Sequence, residues 1–232
     1  MRGLASRFGG VSVFEELSFD VPAGMFVALL GPSGVGKTTL LRIIAGLEVP
    51  VAGSVTASDG GALSGRVAYM GQQDFLFPWA RALDNVMLGA KLRGQRPERD
   101  RAMHLLERVG LQGRERALPA ELSGGMRQRV ALARTLYEQR PIVLMDEPFS
   151  ALDAITRARI QALAAEFLSG CTVLLITHDP MEACRLGHHL LVLSGVPARL
   201  GAPISVPGAT PRAIDDAAVL HTQGMLMRAL MR

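Results

Sequence analysis

The segment Gly31–Thr38, with the sequence GPSGVGKT, constrains the fold of this 232-residue chain more than any other. It matches the phosphate-loop pattern G-x-x-x-x-G-K-[ST], follows the apolar run Phe26–Leu30, and leads into a helical pattern that Gly46 ends. A strand, a glycine-rich turn and a helix in this order predict a nucleotide-binding α/β core. The backbone N–H groups from Ser33 to Thr39 would then face the oxygens of a triphosphate.

The residue types of this loop suit a magnesium triphosphate. Glycines let the backbone wrap around phosphates, and Lys37, one of only two lysines in the chain, is predicted to reach the β- and γ-phosphates. The Thr38 hydroxyl is suited to ligate Mg²⁺. The predicted nucleotide-binding residues of the loop are Gly31, Pro32, Ser33, Gly34, Val35, Gly36, Lys37, Thr38 and Thr39.

Two adjacent carboxylates follow a second apolar strand. In IVLMDEP, Ile142–Pro148, the apolar residues lead directly into Asp146 and Glu147. Asp146 at the strand end is suited to bind Mg²⁺ through water, and Glu147 could take a proton from an attacking water. Elsewhere an Asp-Glu pair is usually a surface pair, but after a buried strand of a phosphate-loop protein it predicts a catalytic site.

A histidine follows a third strand. Val173–Ile176 runs into Thr177, His178 and Asp179. Ligands of open α/β sheets bind outside the carboxyl ends of the strands, so we expect His178 to face the γ-phosphate. The alternative is a histidine with a purely structural role.

A second helix start with an affinity for anions lies in LSGGMRQRVALAR, Leu122–Arg134. Ser123 can cap the helix, while Gly124 and Gly125 leave backbone N–H groups bare at the positive end of the helix dipole. One chain therefore carries two helix starts suited to phosphate, although one active site needs a single γ-phosphate cradle.

The hydrophobic pattern before Pro141 divides into a β-rich part and a helical part. Short strands are predicted at Val11–Phe14 and Leu17–Val21, and a small β region at Pro50–Met70. Between Asp84 and Tyr137 the apolar period is helical, as in Asp84–Lys91. A helical lobe inserted into an α/β core follows from this order.

After Pro141 strands and helices alternate, which favours a parallel sheet with crossover helices. The tail beyond Gly195 is predicted to hold a packed helix within Pro211–Leu230. We interpret residues 1–232 as one domain.

Composition limits the surroundings of the chain. No apolar run reaches the roughly eighteen residues of a membrane span, and no signal-peptide pattern is present, so we expect a cytosolic chain beside a membrane partner. The net charge of +4 comes with scattered arginines, which favours a solvated surface over a nucleic-acid site. Cys171 and Cys184 are interpreted as reduced thiols; the pair Cys184 and His188 has metal-ligand spacing but no further ligands.

Together these motifs resemble the nucleotide-binding subunit of an ATP-binding cassette transporter, over nearly all of the chain through Leu193. The stretch Leu122–Gln128 is similar to the signature motif of that family, which is far more specific than a phosphate loop. The resemblance implies a P-loop NTPase core with a parallel sheet, an antiparallel β subdomain, and a helical signature subdomain at about 73–139. It also implies ATP and Mg²⁺ as ligands and ATP hydrolysis as the activity.

The family resemblance assigns roles to further residues. Two subunits pair head to tail, so that the signature loop of one closes on the ATP of the other. Gln72, after a strand, would sense Mg²⁺ or water, and Phe8 would stack on adenine, with a core Phe as the alternative. The residues implied to bind nucleotide or act on it are Phe8, Gln72, Ser123, Gly124, Gly125, Gln128, Asp153 (in the segment Ser150–Asp153) and His178.

The apolar segment DFLFPW contains Phe75, Leu76, Phe77 and Trp79. Such a Pro-broken run could be core, but at a lobe junction it also suits a groove for a partner helix. In the family this groove receives a cytoplasmic helix of the membrane permease.

EPFSALD, LSGGMRQR and QQDFLFPW look like the importer subfamily that serves nitrate, sulfonate, taurine and thiamine-precursor pyrimidines, and MGQQDFLFPW looks closest to the hydroxymethylpyrimidine importers. The implied protein is a homodimer at the cytoplasmic side of the inner membrane, bound to a permease and indirectly to a solute-binding protein. A separate-chain exporter or lipoprotein-release ATPase is the alternative. No heptad coiled coil of the DNA-repair type is present.

Overall fold

The computed structural model describes residues 1–231. In chain order the strands are β1 (Arg2–Phe8), β2 (Val11–Leu17), β3 (Phe26–Leu30), β4 (Ala52–Ser54), β5 (Val67–Met70), β6 (Ile142–Asp146), β7 (Thr172–Ile176), β8 (His189–Ser194), β9 (Arg199–Leu200) and β10 (Ile204–Ser205). The helices are α1 (Lys37–Ile44), α2 (Ala82–Val86), α3 (Leu88–Leu92), α4 (Arg99–Arg108), α5 (Gly124–Tyr137), α6 (Ala154–Phe167), α7 (Pro180–Leu186) and α8 (Ala217–Leu230).

These elements form two compact units. The phosphate-loop unit comprises Met1–Val67, Pro141–Asp146 and the described part of Gly170–Arg232, whereas the signature unit comprises Ala68–Arg140 and Glu147–Ser169. The bounds of about 73–139 for the helical subdomain fall within the signature unit, and the one-domain interpretation of residues 1–232 stays a prediction.

The phosphate-loop unit is built on a largely parallel sheet, with strand order β10-β8-β3-β7-β6. The central strands β3 and β7 are buried along almost their whole length, as the apolar runs of the sequence require. Ile176 is in register with Leu29 of β3 on one side and with Asp146 of β6 on the other. The carboxyl ends of these three strands, including Asp146, therefore lie at one edge of the sheet.

A second, antiparallel sheet of order β2-β1-β4 completes this unit. The prediction of a strand at Leu17–Val21 was wrong, because β2 ends at Leu17, next to Glu16 with its positive φ of 52°. Beyond that point side chains fix the chain: the Ser18 hydroxyl accepts the Gly3 N–H at 2.8 Å. Strand β1 itself was missed, because its polar and small residues show little alternation.

The C-terminal tail packs onto the parallel sheet through Val219 and Leu226 of α8, which lie in a buried cluster with residues of β3, α7 and β8. The predicted helix within Pro211–Leu230 is shorter than expected, because it starts after Asp216, whose side chain accepts the Ala218 N–H at 2.7 Å. Arg212 is held outside the helix, and its buried guanidinium donates to five backbone carbonyls.

In the signature unit, α2 and α4 pack against the long helix α5. The single helix predicted at Asp84–Lys91 is two short helices, α2 and α3, which meet at Met87. Across residues 1–231, no helix combines the length and the apolar character that crossing a membrane requires.

Candidate nucleotide-binding and hydrolysis site

The phosphate loop has the geometry that its glycines predict. Gly36 precedes α1 with a left-handed φ of 103°, and a Cβ there would collide with Val13. The Lys37 ammonium lies 2.8 Å from the carbonyl oxygens of both Gly31 and Pro32, so it sits directly over the loop. This places a positive charge beside the N-terminus of α1, where phosphate is already favoured.

The two strongest candidate magnesium ligands meet in the same unit. The Thr38 hydroxyl donates to a carboxylate oxygen of Asp146 at 2.6 Å, and Asp146 is only 2% exposed. A hydroxyl and a carboxylate are the hard oxygen ligands that Mg²⁺ prefers, so this pair fits the ion. Residues 1–231 contain no group of three or more His, Cys, Asp or Glu side chains that could hold a metal ion.

His178 lies at this same edge of the parallel sheet. The preceding Thr177 donates its N–H to Leu29 O at 3.2 Å, which fixes the chain beside β3, and His178 itself is exposed. Asp179 caps α7 by accepting the Met181 N–H at 2.9 Å. An exposed imidazole held between a strand end and a helix cap is well placed to meet a ligand at the edge of the sheet.

The Cys184–His188 pair has other partners. His188 accepts the Phe26 N–H at 3.0 Å through Nδ1, and burial lowers the pKa of this imidazole. Burial raises the pKa of the Cys184 thiol to about 11, so Cys184 is an inert core residue at neutral pH.

Phe8 is 84% exposed, which removes the core alternative for this ring. It lines a cavity of about 590 Å³ together with the phosphate-loop residues Gly34 and Gly36. An exposed aromatic ring beside a phosphate loop is suited to stack on a nucleotide base.

Glu147, one residue after Asp146 in the chain, is a candidate residue of the signature unit. Its φ is +50°, a costly conformation for a side chain of this size, and such outliers concentrate at functional sites. The carboxylate of Glu147 lies 3.5 Å from the Gln72 amide nitrogen, at the limit of a hydrogen bond.

Two predicted nucleotide-binding residues also organise the loop around Glu147. The buried Gln128 amide donates to Glu147 O at 2.9 Å and accepts the Ala151 N–H at 2.8 Å. Asp153 caps α6 by accepting the Thr156 N–H at 3.0 Å, a contact that lowers the pKa of its carboxyl. Their contact with nucleotide stays a prediction.

The signature helix begins as its sequence predicts. The Ser123 hydroxyl accepts the Met126 N–H at 3.3 Å, and Gly124 and Gly125 form the first turn of α5. A Cβ at Gly125 would lie 3.0 Å from Ala151 O, so this position requires a glycine or a shift of the backbone. The first turn of α5 therefore begins with two residues that have no side chain, and an anion in solvent can approach its backbone N–H groups.

Two arginines of α5 hold the segment that carries Gln72, and sequence reasoning missed both. Arg127 donates to the Asp74 carboxylate at 3.0 Å, while Arg134 donates to the carbonyls of Asp74 and Phe75 at 2.6 and 2.9 Å. Their i, i+7 spacing places both on one face of the helix, which is the signal that could have identified them. Burial lowers the pKa of the Arg134 guanidinium.

The apolar segment after Gln72 is only partly core. Leu76 is buried, whereas Phe75 is 55% and Trp79 is 75% exposed. The rings of Phe77 and Trp79 lie 5.1 Å apart. The two exposed side chains, Phe75 and Trp79, are called the aromatic surface below.

A phosphate loop with its lysine, a buried aspartate at the end of another strand of the parallel sheet and a glutamate directly after it define a P-loop ATPase. The model of the family described as "ABC transporter" matches residues 14–150. The chain therefore belongs to the ABC transporter family.

Curated relatives match over nearly the whole chain. "Aliphatic sulfonates import ATP-binding protein SsuB 1" of Rhodococcus jostii is 46% identical, with 99% of this chain and 92% of the relative covered. "Aliphatic sulfonates import ATP-binding protein SsuB 2" of Streptomyces avermitilis is 44% identical, with 99% and 89% covered.

A solved structure, "Dimeric structure of a post-hydrolysis state of the ATP-binding cassette MJ0796 bound to ADP and Pi", superposes with a TM-score of 0.80 at 30% identity. It covers 90% of this chain and 98% of the solved one.

These matches confirm the predicted cassette fold, the importer-type resemblance and the identification of the chain as an ATP-hydrolysing transporter subunit.

Proposed function

We propose that two copies of this chain bind two ATP molecules head to tail on the cytoplasmic side of a membrane and drive uptake of an aliphatic sulfonate through a separate permease. The observation that carries the proposal is the geometry of the phosphate-loop unit, where Lys37 lies over the loop and the Thr38 hydroxyl donates to Asp146 at 2.6 Å.

In this account each residue near the phosphates has a distinct task. Lys37 and the loop N–H groups neutralise and orient the β- and γ-phosphates, because charge-assisted bonds are strong where water is excluded. Thr38 and Asp146, with Gln72, would hold Mg²⁺, which when bound supplies charge neutralisation at the phosphate oxygens.

Glu147 is proposed to accept the proton of the attacking water. Its backbone is fixed by Gln128 and Ser150, whose hydroxyl donates to Glu147 O at 3.0 Å, so the side chain departs from a rigid point. His178 is proposed to donate a hydrogen bond to the γ-phosphate, and Phe8 to stack on the adenine.

The second phosphate-binding helix start belongs to the partner's ATP in this proposal. Ser123, Gly124 and Gly125 would meet the γ-phosphate bound by another copy, so that two ATP molecules lie in the dimer interface. Hydrolysis removes contacts made only with ATP, and the dimer opens. The dimeric cassette MJ0796 bound to ADP and Pi supports this arrangement.

The exposed aromatic surface of Phe75 and Trp79 is proposed to receive the permease, since tryptophan and phenylalanine are favoured at the centres of interfaces. A solute-binding protein would act through that permease. The sulfonate is proposed because relatives covered almost end to end carry that substrate in their names. Nitrate, taurine and hydroxymethylpyrimidine are the competing solutes.

The ATPase proposal is tested by Glu147→Gln in the purified chain with Mg²⁺ and ATP. We expect ATP binding to persist, hydrolysis to fall about 100-fold or more, and an ATP-dependent dimer to accumulate. The exposed Glu107→Gln on α4 is the matched control and should behave as the native chain. Near-normal turnover of Glu147→Gln would remove Glu147 as the base.

The transport proposal is tested with the chain and the permease that co-purifies with it, reconstituted in vesicles. ATP-dependent accumulation of an alkanesulfonate, above that of nitrate or the pyrimidine, is expected. Preference for another solute would replace the sulfonate, and movement in the opposite direction would favour the exporter alternative.

A further inference from the structure

The cavity beside Phe8 is bounded on three sides, and no motif of the sequence identifies the third. The first side is the hairpin of β1 and β2, the second is the phosphate loop, and the third is the turn after β8, which contributes Gly195 and Val196. Val196 is 87% exposed, and with the exposed side chains of Phe8 and Val11 it gives the concave surface an apolar lining, the kind of patch that marks a ligand site.

This turn is fixed to both other sides. Ala198 donates its N–H to Val13 O at 2.7 Å, and β9 pairs with β8 through Leu193 and Leu200. At Gly31 a Cβ would collide with Leu193 O, so the phosphate loop lies directly against the end of β8. Val196 is therefore carried on a supported turn beside the phosphate loop.

A second observation points to a ligand in the same cavity. Ser12 also lines it, and the Ser12 hydroxyl is buried with no hydrogen-bond partner among the described residues. Buried hydroxyls are nearly always paired, and an unpaired one is costly. A hydrogen-bonding ligand in this cavity would supply the missing partner.

We propose that the turn Gly195–Ala198 forms the outer wall of the nucleoside subsite, with Val196 packing on the base of bound ATP and Ser12 hydrogen-bonding to the nucleoside. This inference rests on the proposed function. Val196 and Ser12 are positioning residues for the nucleoside, and neither has a proposed role in holding the phosphates.

The test compares ATP with inorganic tripolyphosphate, which has no nucleoside. Affinities of both are measured by calorimetry with Mg²⁺ in the Glu147→Gln background, which slows hydrolysis. Val196→Ser should weaken ATP about 10-fold and leave tripolyphosphate unchanged, because only the nucleoside loses an apolar contact. The matched control Val49→Ser changes a valine that is 90% exposed and does not line the cavity, and it should alter neither ligand.

Ser12→Ala separates a binding role from a structural one. If the hydroxyl serves the nucleoside, ATP affinity should fall about 5-fold while thermal stability stays equal or rises, because an unpaired hydroxyl is removed. A variant with native ATP affinity and raised stability would overturn the role of Ser12.

The outcomes for Val196 also separate this inference from the proposed function. Native ATP affinity of Val196→Ser, or equal losses for ATP and tripolyphosphate, would overturn the inference even when Phe8→Ala weakens ATP selectively. Failure of the parent chain to bind ATP at all would instead overturn the proposed function.

Discussion

The two helix starts suited to phosphate differ in what they bring with them. Helix α1 starts at a left-handed glycine, has no side-chain cap, and carries Lys37 and the Thr38–Asp146 pair within its first turn. Helix α5 starts at Ser123 with two glycines and no cation, and its first arginine, Arg127, is engaged by Asp74 and the Leu122 carbonyl.

This difference explains why one chain carries both. A helix start with a lysine and metal-ligating oxygens can hold a magnesium triphosphate by itself, because the charges that neutralise the phosphates are built in. A helix start that offers only backbone N–H groups and a hydroxyl, such as that of α5, adds to the affinity for ATP only when the phosphate is already held by another phosphate loop. In the proposed function the first helix start therefore binds ATP, and the second contacts ATP that another copy has bound.

The largest effect is expected from Lys37→Ala. Lys37 is the only cationic residue of the segment Gly31–Thr38. Its removal should weaken ATP binding and lower kcat/KM about 100-fold or more, because a contact to the charge that develops on the phosphate oxygens is lost. The other lysine, Lys91, provides the control, because it pairs with Asp84 on the surface. Steady-state hydrolysis of Lys37→Ala and Lys91→Ala checks this, and equal activities would contradict the role of Lys37.

Ser123→Arg should affect the second helix start alone. ATP affinity of the isolated chain should stay within about twofold of native, whereas ATP-dependent dimerisation in the Glu147→Gln background should weaken at least about 10-fold, because the added side chain blocks the approach of a phosphate. Ser169→Arg places the same charge on an exposed site of the same unit. Sedimentation with and without ATP is the measurement; a normal closed dimer of Ser123→Arg would refute the cross-chain contact.

Arg134→Gln tests whether α5 fixes the segment that leads to the aromatic surface. Loss of the two bonds to the Asp74 and Phe75 carbonyls should destabilise that segment by about 1–3 kcal/mol, so its amides should exchange with solvent roughly 10-fold faster or more. Hydrogen exchange across residues 74–77 checks this against the exposed Arg42→Gln. Unchanged exchange in both variants would show that the segment is held by other contacts.

The smallest effect is expected from Ser123→Ala, which removes only a helix cap and the proposed hydroxyl contact to phosphate. Stability should fall by about 1 kcal/mol, as for other serine caps. Asp216→Ala removes the cap of α8 and should cost a similar amount. Only Ser123→Ala should also weaken the ATP-dependent dimer; equal dimerisation of the two variants would reduce Ser123 to a cap.

Much of this comparison could be predicted from sequence, because both helix starts are local. The order of strand, glycines and lysine defines α1, and Ser123 with its glycines defines the start of α5. The parallel sheet also followed from alternating apolar runs, which placed Asp146 and His178 at strand ends. Local patterns failed where backbone conformation interrupts a strand, as at Glu16.

Long-range contacts could not be predicted. Gln128 reads as one more residue of a signature motif, but its amide reaches across 23 positions to Ala151. Ser12 and Val196 carry no motif, and they share a cavity only because Ala198 pairs with β2. Arg212 looks like a surface residue in a polar tail, yet its guanidinium is buried among carbonyls that only the folded chain brings together.

The central claim, that each ATP is held by the phosphate loop of one copy and the signature helix of another, is tested most directly by mixing Lys37→Ala with Ser123→Arg, both in the Glu147→Gln background. Each variant alone lacks one half of both sites, but a mixed dimer regains one intact site. ATP-dependent association of the labelled mixture, where neither variant associates alone, is the predicted result. No association beyond that of the separate variants would contradict the claim.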